Sequence, residues 1–174
     1  MPCAALVPHP ATPCAALRGI KVFLRREPAR LVVEYVLEGE IDRLRIPAAR
    51  PPRPADKLWQ HTCCELFVAR ADEPGYCEFN FSPSGEWAAY AFAAYRDGGP
   101  IGIDAPGIRV ERERERLTLS AFVPARDEAL KIGASVVIEE AGGTIAYWAL
   151  RHPPGKPDFH HPEAFAMELD AIRH

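Results

Sequence analysis

The chain has 174 residues, a formal net charge of −3, and 48% apolar and 26% charged side chains, which is ordinary usage for one domain with a core of its own. No basic excess is present to track a phosphate backbone, so nucleic acid is a poor partner. No apolar run is long enough to cross a bilayer, and the opening Met1-Pro2-Cys3-Ala4-Ala5-Leu6-Val7-Pro8 lacks a basic leader and is interrupted by proline, so a cytoplasmic, membrane-free protein is expected.

Residues Met1 to Ala16 are proline-rich and without periodicity, and read as a flexible arm preceding a single domain over 17–174. After that arm the apolar residues alternate with a period of two. Ile20, Val22 and Leu24 form one such run, and Leu31, Val33, Tyr35 and Leu37 form the next. Glu27-Pro28-Ala29 between them suits a tight turn, so the pair reads as a hairpin. The proline-rich stretch Arg50–Lys57 reads as a long surface loop. The strands Cys63–Ala71, Tyr76–Ser82 and Trp87–Tyr95 follow, joined by Asp72-Glu73-Pro74-Gly75 and Pro83-Ser84-Gly85, as a meander.

Gly98–Gly107 reads as a loop, and Ile108 and Val110 open another strand. The charged run Glu111–Arg116 reads as a solvated hairpin tip, because alternation resumes at Leu117, Leu119, Ala121 and Val123. A short helical turn is expected over Pro124–Leu130. Ser135–Glu140 and Thr144–His152 form a hairpin over Ala141-Gly142-Gly143. Arg151–Pro162 is a loop rich in proline and histidine, and Glu163–Leu169 is the closing strand. About ten short strands with almost no helical period predict an all-β protein, an antiparallel β-sandwich of jelly-roll-like type, and a monomer.

The five cysteines, Cys3, Cys14, Cys63, Cys64 and Cys77, show no Cys-x-x-Cys spacing, and their odd number argues against a fully paired disulfide framework. Cys64 and Cys77 are expected as reduced core residues. No Gly-x-Ser-x-Gly elbow, phosphate-binding glycine loop or His-Glu-x-x-His motif is present. A paired-carboxylate role for Glu65 and Glu78 in glycoside hydrolysis stays open in principle, but two glutamates on neighbouring strands are ordinary.

Two segments carry the chemistry. Alternation puts Leu66, Val68, Phe79 and Phe81 on the core face, which leaves Glu65, Glu78 and Asn80 together on the opposite face, with Trp59 a few residues ahead. Carboxylate, amide and indole suit a polyol: hydroxyls hydrogen-bond to the first two, and an apolar ring face stacks on the third. The bland alternative is the wet face of an antiparallel sheet. The second segment runs from Tyr147 to Pro162 and gathers Arg151, His152, Lys156, Asp158, His160 and His161. Arg151 and His152 are candidates for ligand contact there. His152, Asp158 and His160 are a weaker candidate set for a metal.

Trp59-x-x-Thr62-Cys63-Cys64-Glu65-Leu66-Phe67-Val68 and Tyr76-Cys77-Glu78-Phe79-Asn80-Phe81-Ser82-Pro83-Ser84-Gly85-Glu86-Trp87 resemble the DOMON-like superfamily, which includes family 9 carbohydrate-binding modules and haem- or sugar-binding domains. The end of the chain, Arg151-His152-Pro153 through Asp158 to Phe165, looks like a bacterial DOMON-like group. The resemblance spans about Arg18 to Leu169. It implies a β-sandwich that binds a small-molecule or glycan ligand without catalysis, with Trp59 and Glu65 contacting sugar. Trp87 and Trp148 are both candidates for a second clamping ring. The haem-binding branch uses Met and His axial ligands. Met167, His160 and His161 do not match that arrangement, so no cofactor is expected. A haem- or metal-binding redox module and a protein-interaction domain are the competing readings.

Overall fold

Leu31, Val33, Tyr35 and Leu37 are all fully buried, whereas the residues between them are half-buried. The same alternation recurs along most of the chain. Residues 1–172 are described in the computed structural model, and the expected domain limit at His174 lies outside the described residues. The strands are β1 (Cys3–Pro8), β2 (Leu17–Glu27), β3 (Arg30–Gly39), β4 (Cys63–Arg70), β5 (Tyr76–Phe81), β6 (Trp87–Ala94), β7 (Asp97–Pro100), β8 (Arg109–Arg112), β9 (Arg116–Pro124), β10 (Leu130–Glu139), β11 (Ile145–Ala149) and β12 (Met167–Leu169). Among the described residues no helix is long and apolar enough to cross a membrane.

The strands hydrogen-bond in the order β7-β6-β5-β4-β10-β11-β1-β2-β3-β9-β8, with β12 also on β10. This is an all-β, antiparallel β-sandwich. The path folds over so that β2, β3 and β9 face β4, β5 and β10. Leu24, Val33, Tyr35 and Leu119 from one layer meet Leu66, Phe81, Ile132 and Val136 from the other in a shared core. Phe79 belongs to that core and Val68 packs against it. Pro28-Ala29 makes the expected turn between β2 and β3, with Ala29 at a left-handed φ of 61°.

The N-terminal arm is not a free arm. Cys3–Leu6 pair with β2 and Val7–Pro8 pair with β11, so β1 turns the corner between the layers. Leu6 is buried in the core. The sequence hid this strand because Ala4 and Leu6 offer only two inward apolar positions before proline interrupts the pattern. The strand β7 lies within the expected Gly98–Gly107 loop. Gly98 is required there: a Cβ would come within 1.9 Å of the Ala91 carbonyl oxygen. The helical turn expected over Pro124–Leu130 is absent, replaced by bends between β9 and β10. The closing strand is also shorter, because Pro162–Ala164 form a 3-10 turn ahead of β12.

Candidate functional site

The outer face of the β4–β5–β6–β10 layer, away from the core, carries the site. In the register, Glu65 lies opposite Asn80 on one side and Ser135 on the other, while Phe67 lies opposite Glu78, and Glu78 opposite Tyr90. Glu65 and Glu78 are therefore diagonal neighbours on adjacent strands, close enough for their carboxyl groups to interact. This face is not wet. Glu65 is 3% and Glu78 6% exposed.

Two loops cover it. Residues 50–61 run along the edge, where Ala55 N–H donates to the Trp87 carbonyl and Trp87 N–H to that of Arg53. The Tyr90 hydroxyl donates to Asp56 at 3.0 Å. Lys57, at a φ of 57°, turns the chain into a single 3-10 turn that presents Trp59, which is 46% exposed. The second cover is the loop between β11 and β12. His9 bonds the Gly155 carbonyl through Nε2 at 2.8 Å, and His152 bonds the Val7 carbonyl at 2.8 Å. The two imidazoles meet edge to face, 4.9 Å apart. The N-terminal segment thus fastens the covering loop. Asp158 completes the attachment by pairing with Arg96 at 2.9 Å and accepting from the Tyr95 hydroxyl. Arg96 sits in the two-residue turn between β6 and β7 at a φ of 54°.

Between these covers and the sheet is a pocket of about 630 Å³. Its floor holds Glu65 and Glu78. Trp59, Tyr90, Phe92, Tyr147 and Phe159 supply aromatic surface, and Asp56, Arg96, Lys156, Pro157, Val137 and His160 complete the lining. This size and mixture of apolar walls with few polar groups is typical of a small-molecule site.

The electrostatics follow from burial. Loss of water raises the Glu65 pKa well above the ordinary range, and the neighbouring Glu78 raises it further, against a weak 3.4 Å hydrogen bond from the Ser135 hydroxyl. Burial lifts Glu78 from 4.5 to about 7, moderated by Asn80 and Arg96. His160 is pushed down to about 4, chiefly by burial and then by Arg96, and is neutral at ordinary pH. The Arg96 backbone N–H donates to the Tyr76 hydroxyl at 3.1 Å, which lies 2.8 Å from His160 Nδ1. On the other side of the ring, His160 Nε2 lies 3.4 Å from Glu78 Oε2.

Of the residues singled out in the sequence, Trp59, Glu65 and Glu78 line the same pocket. Asn80 does not. It is fully buried outside the lining, and among the described residues neither its amide nitrogen nor its oxygen makes a hydrogen bond of ordinary geometry, although it is near enough to Glu78 to moderate that carboxyl. Arg151 is exposed and outside the lining, and His152 serves the loop attachment. His152, Asp158 and His160 are spent on separate partners, and among the described residues no group of three His, Cys, Asp or Glu is arranged to hold a metal. Trp87 and Trp148 are both buried and outside the lining of this pocket. Tyr90 and Phe92 were missed. Their signal was present: on β6 they alternate with Ala89 and Ala91, which puts the large rings on the face opposite the core.

No family model and no curated protein matches the chain. Among solved structures it is similar to the crystal structure of a candidate carbohydrate-binding protein from Bacteroides uniformis, with 13% sequence identity and a TM-score of 0.64. The match covers 93% of this chain and 83% of that one, and it is a likeness of fold.

Proposed function

We propose that the protein is a non-catalytic carbohydrate-binding domain of DOMON-like type, with its ligand in the pocket above Glu65 and Glu78. The observation that carries this reading is the pocket itself: buried acid groups on a sheet floor beneath aromatic walls. Carboxyl groups bridge vicinal hydroxyls, and a half-exposed indole at the mouth offers a stacking face to the C–H side of a sugar ring. The fold shared with the Bacteroides uniformis protein supports this reading. The cover fastened by His9, His152 and Asp158 holds the pocket in shape before binding, which lowers the ordering cost of capture.

The test is a panel of immobilised glycans probed with the wild-type chain and with Trp59→Ala. Retention of the wild type on a restricted set of glycans, lost in the variant, is the expected result. Equal retention of both would place binding elsewhere, and release of reducing sugar during incubation would overturn the non-catalytic reading.

A further inference from the structure

Among the described residues, no lysine or arginine forms an ion pair with Glu65 or Glu78 on the pocket floor, although Arg96 is near enough to moderate Glu78. Arg96 is committed to Asp158 at the edge, its side chain 53% exposed. Lys156 is exposed and makes no ion pair among the described residues. His160 Nε2 lies 3.4 Å from Glu78 Oε2, but burial keeps the ring neutral. Among the described residues, the Glu65 carboxyl has only the 3.4 Å hydrogen bond from the Ser135 hydroxyl, although its side chain is almost wholly buried. Buried carboxyl groups are ordinarily paired or neutralised. Here they open into a cavity large enough for a ligand, and that cavity is walled by rings.

Resting on the carbohydrate reading above, we propose that the ligand carries a protonated amine, as in an amino sugar, and that this ammonium sits on the floor between Glu65 and Glu78 with Tyr90 and Phe92 beside it. An ammonium supplies the positive charge that the protein withholds. Its N–H groups donate to the carboxylates, and the flanking ring faces attract it through their quadrupoles. A neutral hydroxyl at that place leaves the carboxyl groups protonated and makes only uncharged hydrogen bonds. Occupation by ammonium ionises the pair, so binding releases protons to the buffer. The charged and titratable groups facing the pair are Arg96, Lys156, His160, Asp56 and Tyr90; the two cations lie at the edge, so the floor itself stays acidic.

The experiment is titration calorimetry with a glucosamine trimer, its N-acetylated counterpart, cellotriose and methylammonium. It is run at a pH that keeps the amine protonated, and in two buffers of different ionisation enthalpy. The glucosamine trimer is expected to bind about tenfold or more tighter than the two neutral trimers, with proton release. That preference should disappear in Glu78→Gln, whose folding is checked by its thermal melt. Neutral trimers that bind as tightly as the amine would overturn the inference and leave carbohydrate binding standing. Binding of methylammonium with no trimer bound would support the ammonium site and overturn the carbohydrate reading. No binding by any of the four would overturn both.

Discussion

The hydroxyl of Tyr35, on β3, donates a 2.6 Å hydrogen bond to the backbone carbonyl of Glu65, on β4. The bond crosses the core, so the strand whose outer side chain enters the pocket is tied to the opposite layer from behind. Tyr35 is fully buried, and burial raises its pKa well above the ordinary value, which keeps it a donor. Tyr35→Phe keeps the ring and removes the bond. The variant should lose about 1–3 kcal/mol of stability in urea unfolding, with a reduced affinity for ligand.

Glu78 and His160 make opposing contributions to the pH dependence. Glu78 has a folded pKa of about 7 against 4.5, so its contribution is fully present below 4.5 and is lost as pH rises through 7. His160, lowered from 6.5 to about 4, contributes stability above 6.5 that is lost as pH falls through 4. These two oppose each other between pH 4.5 and 6.5, and Glu65, whose pKa burial also raises, adds to the loss as pH rises. Glu78→Gln removes the first alone. Its stability relative to wild type should therefore rise by about 3 kcal/mol between pH 4.5 and 7, measured by urea unfolding across that range. A constant difference would show that Glu78 is not held protonated by the fold.

His9→Ala tests the fastening of the cover. Loss of the bond to the Gly155 carbonyl should cost about 1–2 kcal/mol and speed hydrogen exchange in residues 151–160 while leaving that of β3 and β9 unchanged. Unchanged exchange in the loop would mean that Asp158 and Arg96 hold it unaided.

The cysteines give a direct check on burial. Cys3 is exposed, whereas Cys63 and Cys64 are fully buried, with pKa values that burial raises well above the ordinary thiol. A thiol reagent should modify Cys3 rapidly in the folded chain and reach Cys63 and Cys64 only after denaturation. Fast labelling of Cys64 would place it outside the core.

The layers were legible because period-two alternation is a local property. Leu66 with Val68, and Phe79 with Phe81, could be assigned to one face without knowing what lies across from them, and Glu65 and Glu78 to the other. What covers that face was not legible. The path of the loop after β11 depends on a few contacts between residues far apart in sequence, His9 with Gly155 and Arg96 with Asp158, and no periodicity encodes them. For the same reason the bond from His152 to the Val7 carbonyl and the burial of Asn80 outside the pocket lining were not legible. The strand β1 was hidden because its pairing partners, β2 and β11, lie in different layers.

The proposed ligand site is the pocket above Glu65 and Glu78. Titration calorimetry of the wild type, Trp59→Ala and Glu65→Gln against the strongest glycan from the panel tests it most directly. Trp59 is half exposed, so its removal should leave the thermal melt nearly unchanged while weakening binding by about 1–3 kcal/mol. Glu65→Gln should weaken binding as well, with the domain still folded. Wild-type affinity in both folded variants would contradict the account and place the ligand site elsewhere on the molecule.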